Sequence, residues 1–333
     1  MSEPILRVEN LKTHFPVSKG FFRKVVGHVK AVDGVSFEIG KGETFGLVGE
    51  SGCGKTTTGK TILRIFNATS GKVFFKGIDI TDLSDKEFAK YRRDIQLIFQ
   101  DPYGSLDPRQ SVGSIVEEAI CADGKHHAKA DVEKRVCELL QLVELDPEMV
   151  DRYPHELSGG QRQRLGIARA LACDPELIIC DEPVSALDVS IQAQVINLFI
   201  KLQKQLGLTY LFIAHDLAVV QHIAKNIGVM YLGHLVETMP SRELYGNPLH
   251  PYTKALLSAV PITDYYVEQT RHREVLQGEV PSPINAPSGC PFNPRCRFAC
   301  SICSEKRPEL VEIEKGHFVA CHMVSDQSTV HNQ

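Results

Sequence analysis

The sequence predicts an α/β protein built on a parallel sheet covered by helices. Two observations carry this. Past residue 175 short apolar runs alternate with helical segments, and near residue 50 a glycine-rich turn joins a strand to a helix. The chain has 333 residues, 43% hydrophobic and 23% charged, an ordinary globular composition with room for about two domains. A formal net charge of −4 provides no global basic field for nucleic acid or anionic lipid, so any anion is bound locally. The opening "MSEPILRVENLKTHF" carries charges where a secretory signal needs an apolar run, and no stretch reaches ~18 uninterrupted apolar residues. A cytoplasmic protein or subunit is expected.

Taken in order, the first ~80 residues read as short strands with turns, "ILRVEN", "VKAVDGVSFEIG", "ETFGLVG" and "KVFFKG", interrupted by one helix from Lys55 to about Phe66. Ser84 to Glu87, "SDKE", is a capping-box pattern that opens another helix. The strand "IQLIFQ" precedes a mostly helical tract from about Ser111 to Val143. Strands and helices then alternate through "ELIICDE", a long helix, "LTYLFIAHD", "LAVVQHIAKN" and "IGVMYLG". In the long helix Ile191, Val195, Leu198, Leu202 and Leu206 keep one face apolar, which marks core. From about Asn247 the composition shifts to Pro, Cys and Asn, so a domain boundary is expected near residue 250.

"GLVGESGCGKTTTGK" follows a strand and opens a helix, and Gly49 to Thr56 satisfies G-x-x-x-x-G-K-[ST]. Phosphate chemistry requires that spacing. Gly49, Gly52 and Gly54 let backbone N–H groups converge on a β-phosphate at a helix N-terminus, with Ser51 and Cys53 contributing to the same loop. Lys55 supplies a point charge to the β- and γ-phosphates, Thr56 offers a hydroxyl to Mg²⁺, and Thr57 follows in the first helical turn. The ion's second partner should be an acid ending another buried strand. "ELIICDEP" supplies Asp181, to hold Mg²⁺ through water, and Glu182, to polarise the attacking water as general base. Alone, such a pair would read equally as a helix cap or a surface feature.

"LSGGQRQRLGIARAL" opens a helix on two adjacent glycines, although glycine is among the poorest helix formers. With the phosphate loop about 100 residues before it and "LIICDE" after it, the chain resembles the nucleotide-binding subunits of ABC transporters. The resemblance implies a P-loop NTPase cassette: a RecA-like core, an antiparallel β subdomain and a helical subdomain inserted at about 101–167, together spanning 1–250. It implies that Ser158, Gly159, Gly160 and Gln161 bind the γ-phosphate of ATP held by a partner subunit, where side chains would block approach. It implies that Gln100 reaches Mg²⁺ from the Q-loop, that His215 contacts the γ-phosphate, and that Ser185 to Asp188 cross a dimer interface. Phe15 stands where the family usually stacks a tyrosine on adenine. Arg162, Arg164 and Arg169 read as solvated or interdomain charges.

Five of the ten cysteines, Cys290, Cys296, Cys300, Cys303 and Cys321, crowd the C-terminal stretch, and in a cytosolic chain such crowding points to metal. Four thiolates suit zinc or an iron–sulfur cluster, and free thiols in a loose tail remain open. "FQDPYGSLDPR", "DRYPHELSGGQRQR", "DEPVSALDVSIQAQV" and "HPYTKALLSAVP" resemble the ATPase subunits of dipeptide and oligopeptide importers, whose small cysteine-bearing C-terminal domain corresponds to 251–333. That resemblance implies a [4Fe-4S] cluster on Cys290, Cys296, Cys303 and Cys321. It also implies a second paralogous ATPase subunit, two membrane permeases and an extracytoplasmic peptide-binding protein as partners, no nucleic acid, and a place at the cytoplasmic face of the inner membrane. An importer of nickel, glutathione or an opine is the alternative within the class, and a soluble ABC ATPase the alternative outside it. The tail carries no nucleotide motif, so nucleotide binding is expected to be independent of it.

Overall fold

The computed structural model describes residues 3–19, 24–101, 103–122, 125, 127–260, 276 and 278–325. The chain opens with β1 (Leu6–Lys19), β2 (Lys24–Ile39), β3 (Thr44–Val48), α1 (Lys55–Ile62), β4 (Ser70–Phe75), β5 (Ile78–Asp79), α2 (Asp85–Phe88) and β6 (Ile95–Ile98). It continues with α3 (Val112–Cys121), α4 (Lys129–Leu142), α5 (Gly159–Leu171), β7 (Leu177–Asp181), α6 (Val189–Leu206), β8 (Thr209–Ala214) and α7 (Leu217–Ile223). The last elements are β9 (Asn226–Tyr231), β10 (His234–Pro240), α8 (Pro251–Ala259), α9 (Ser301–Glu305), β11 (Val311–Glu314) and β12 (His317–Val319). Two compact units result: Met1–Ile5, Ile39–Thr44 and Asp82–Ile213 form one, and Leu6–Glu38, Phe45–Thr81 and Ala214–Gln333 form the other.

In the first unit β6, β7 and β8 pair in parallel, Ile98 opposite Cys180 and Cys180 opposite Phe212. Every residue of β7 and β8 is buried, as expected for parallel strands covered on both faces. The helix α3 packs on α4 and α5, and Ser111 caps it by accepting the Ser114 N–H. Ser84 and Glu87 form the expected capping box at α2. In α6 the buried face is Val195, Ile196, Leu198, Phe199 and Leu202. The expected stripe fails at Leu206, which is 49% exposed: it is the last helical residue, and Gly207 turns the chain away in the left-handed conformation.

In the second unit β2, β1, β4 and β5 form one sheet in that order, with β4 antiparallel to both β1 and β5. Separately, β3 pairs in parallel with β9, and β9, β10, β12 and β11 continue antiparallel. The expected boundary near residue 250 is not where the units divide. Hydrogen bonding explains the difference, because β12 lies against β10 with Val319 opposite Glu237, tying the chain's end to a strand before residue 250. The proline-rich segment is largely irregular as expected, with a short 3-10 turn at Asn293–Arg295.

Candidate functional site

The phosphate-binding loop lies in the second unit, where β3, buried throughout, leads into α1. Gly54 caps α1 at φ 110°, and a Cβ there would stand 2.1 Å from the Ala31 carbonyl oxygen. Gly49 is equally confined, with the Met230 carbonyl oxygen 2.2 Å from where its Cβ would be. Lys55, 4% exposed, donates from Nζ to the Gly49 and Glu50 carbonyls at 2.7 and 3.1 Å, so the loop folds around the ammonium. Cys53 is buried and its thiol is pushed up by burial; its carbonyl accepts the Gly233 N–H at 2.8 Å. Ser51 and Gly52 are at the exposed rim, while Thr56 and Thr57 are half-buried in the first turn of α1. Phe15 is half-buried on β1 with its ring edge-on to Phe66, centroids 5.1 Å apart.

Two groups from the C-terminal part of the chain reach this loop. Tyr252 Oη accepts the Glu50 N–H at 2.9 Å, and Arg295 pairs with the Glu50 carboxylate at 2.8 and 3.2 Å. Sequence reasoning missed both. "HPYTKALLSAVP" carried only a resemblance and gave Tyr252 no role, and nothing local to Arg295 signals a partner 245 positions away. These bonds tie the tail to the loop although the tail carries no nucleotide motif of its own.

In the first unit Asp181, 4% exposed, ends β7, and Glu182 follows with its N–H bonded to the Ile213 carbonyl at 2.9 Å. Glu182 sits in the left-handed region at φ 48°, which a non-glycine residue rarely occupies. Gln100, two residues past β6, donates from Nε2 to Glu182 Oε2 at 2.9 Å, bringing two predicted residues together. His215 is exposed just past β8, next to Asp216, whose side chain caps α7.

The signature stretch is a capping box. Ser158 Oγ accepts the Gln161 N–H at 3.3 Å, and Gln161 Oε1 accepts the Ser158 N–H at 2.9 Å. Gly160 is required for packing, since its Cβ would fall 2.6 Å from Ile191 Cγ2 of α6. A Cβ on Gly159 would meet Leu187 Cδ2 at 3.3 Å, so the Ser185–Asp188 loop also presses on this turn. The three arginines are structural clamps rather than solvated charges. Arg162 bonds the Pro154 carbonyl at 2.7 Å and lies 5.2 Å from the Tyr103 ring centre. Arg164 bonds Glu144 at 2.7 Å, and Arg169 donates to the Ser105 carbonyl. Two of them therefore fasten α5 to the segment after Gln100.

The tail cysteines converge. The Cys290 N–H donates to the Cys303 carbonyl at 2.7 Å, and the sulfurs of Cys300 and Cys303 are 3.5 Å apart. Burial pushes the Cys290 thiol up to about 11, and Cys303, Cys321 and Cys296 add to the effect, so the four lie within electrostatic reach. Among the described residues no three of these sulfurs are mutually within 4.8 Å. Thiolates on one tetrahedral zinc would stand about 3.8 Å apart, given Zn–S near 2.3 Å.

Comparison with known proteins places these features. The ABC transporter family profile matches residues 32–185, and that of the oligopeptide/dipeptide transporter C-terminal region matches 236–303. The chain is 55% identical over 324 residues to the oligopeptide transport ATP-binding protein AppF of Bacillus subtilis, covering 97% of this chain and 98% of that one. It is 51% identical to OppF of Salmonella typhimurium, covering 95% of each. The dimeric structure of MJ0796, a bacterial ABC transporter cassette, superposes with a TM-score of 0.64 at 29% identity, over 71% of this chain and 99% of that one. Among the described residues no helix is long and apolar enough to cross a membrane. The chain belongs to the ABC transporter ATP-binding subunits of the oligopeptide and dipeptide class.

Proposed function

We propose that this chain energises import of dipeptides or oligopeptides by hydrolysing ATP between itself and a second, paralogous ATPase subunit. The observation that carries the reading is the 2.9 Å bond from Gln100 to Glu182, directly after the buried Asp181. It joins the proposed Mg²⁺-sensing glutamine to the proposed base. In this reading the loop from Gly49 to Thr57 cradles the α- and β-phosphates, and Lys55 neutralises charge at the β- and γ-phosphates. Thr56, Gln100 and Asp181 would hold Mg²⁺, which would offset phosphate charge, and Glu182 would take the proton of the water that attacks the γ-phosphate as ADP leaves. His215 steadies the γ-phosphate, and Phe15 offers a ring face to adenine. Ser158, Gly159, Gly160 and Gln161 serve the partner's nucleotide. Catalysis is then positioning and charge stabilisation. Transport follows if ATP binds the closed pair better than the open one.

The same reading assigns 1–250 to the cassette, with its helical insertion at about 101–167, and 251–333 to a cysteine-bearing C-terminal part. The partners are two permeases, which hold the chain at the cytoplasmic face of the inner membrane, and an extracytoplasmic peptide-binding protein. The converging thiols of Cys290, Cys296, Cys303 and Cys321 fit a [4Fe-4S] cluster, which would cross-link a segment poor in core. Glu182→Gln tests the assignment of the base. Nucleotide affinity should stay near wild type while turnover of the assembled complex falls at least a hundredfold. Turnover within a few-fold of wild type would refute it.

A further inference from the structure

In the second unit, His317 of β12 is fully buried, and its Nε2 lies 2.8 Å from Glu237 Oε1 of β10. Glu237, also fully buried, accepts the Leu249 N–H at 2.7 Å and the His250 N–H at 3.1 Å. Two backbone N–H groups already place Glu237 as an acceptor, and the 2.8 Å contact continues that pattern when His317 Nε2 carries the hydrogen. This fixes the tautomer and turns the Nδ1 lone pair the other way. Nδ1 is buried and has no hydrogen-bond partner. It faces Glu243 Oε2 at 3.9 Å, too long for a hydrogen bond, and one ligand atom each from His317, Glu243 and Glu314 lies within 4.8 Å of the others.

We propose that His317 Nδ1, Glu243 and Glu314 form a divalent cation site, with Zn²⁺ the ion that this nitrogen and two-carboxylate set fits best. Zinc bonds to imidazole nitrogen and carboxylate oxygen run to about 2.1 Å, which separates the two ligand atoms by about 3.4 Å at the tetrahedral angle and about 4.2 Å at the widest. The 3.9 Å gap lies within that span. Glu237 behind the imidazole supplies the carboxylate–histidine orientation that metal-bound histidines use. The two carboxylates would repel each other, and among the described residues neither has a close cationic partner to offset this. Arg242 is 3.5 Å from Glu243, and Asn247 donates to Glu314 at 3.3 Å. A cation here would clasp the β11–β12 hairpin to the turn at Ser241–Glu243, just after β10. It shares no residue with the cysteines.

The test is a Co²⁺ titration of the nucleotide-free, full-length protein, by equilibrium dialysis and absorption, followed by Zn²⁺ competition. The expected result is one Co²⁺ with weak visible bands and no added near-ultraviolet thiolate band, displaced by one equivalent of Zn²⁺. Glu314→Gln, at an exposed position, and Glu243→Gln should each weaken binding at least tenfold. Exposed Glu309→Gln should not. Zn²⁺ should also raise the melting temperature of wild type but not of Glu314→Gln. Absence of Co²⁺ binding, or binding that shows only the thiolate band and is unchanged in Glu314→Gln, would overturn the proposal.

Discussion

Arg295 grips Glu50 with both terminal nitrogens, at 2.8 and 3.2 Å, so the residue beside Cys296 is bonded to the second residue of the phosphate-binding loop. The arginine side chain is 6% exposed and the glutamate 26%, and the guanidinium's remaining Nε–H has no partner. A bidentate pair this sheltered fixes direction as well as charge. The cysteine segment and the nucleotide loop are therefore one mechanical assembly within their unit.

Arg295→Ala should lower stability by about 2 kcal/mol, less than the 3–5 of a fully buried pair because Glu50 keeps some water. Nucleotide affinity should fall several-fold with it. Arg295→Lys should recover part of the stability but little of the affinity, since a point charge cannot reproduce the fork. Denaturant melts beside a fluorescent-nucleotide titration separate the two effects, and unchanged affinity in Arg295→Ala would refute the coupling.

Two glycines of α5 should respond in opposite senses to alanine. Gly166 has open space at its Cβ position, so Gly166→Ala should stabilise by about 0.5–1 kcal/mol through helix propensity. Gly160→Ala drives a methyl into Ile191 and should destabilise by about 1–3 kcal/mol. Adding Ile191→Ala should remove much of that penalty, and a double-mutant cycle with no coupling would count against the packing explanation.

His250 caps α8 by accepting the Tyr252 N–H on Nδ1, and burial pushes its imidazole down to about 4. Its folded value lies below its unfolded 6.5, so between these limits the unfolded chain binds more protons. Stability is full above the unfolded value and is lost as pH falls toward about 4, by up to about 3 kcal/mol from this residue. His250→Asn keeps a capping oxygen without the titration, so its melting temperature should vary less with pH across that window.

Anaerobically purified protein should be brown and carry iron with acid-labile sulfide. Cys290→Ser, Cys296→Ser, Cys303→Ser and Cys321→Ser should each bleach it, and Cys300→Ser should not. Because Arg295 adjoins Cys296, Cys296→Ser should also weaken nucleotide binding. Colourless protein holding one zinc would replace the cluster while leaving the Arg295 coupling intact.

The phosphate loop, the acids ending β7 and the signature were legible because each motif encodes its own backbone: positive-φ glycines, a buried strand end, a capping box. The bonds that tie them to the rest were not. Arg169 reaches Ser105 from 64 positions away, and nothing beside either residue announces it. The terminal hairpin did leave a signal, since "VEIE", a "KG" turn and "HFV" alternate as two short strands do. It was obscured by proline and cysteine upstream. The partnership of Glu237 with His317 depends on the register of β12 against β10, which sequence alone does not fix.

Glu182 bears a further consequence. Its left-handed backbone costs about 1–3 kcal/mol that glycine or asparagine would not incur in full. Selection for heat tolerance alone would therefore be drawn to this position and would return sturdier chains without the carboxylate. Libraries made from this protein should hold position 182 constant, because there thermal robustness and turnover are rival objectives written into a single φ angle.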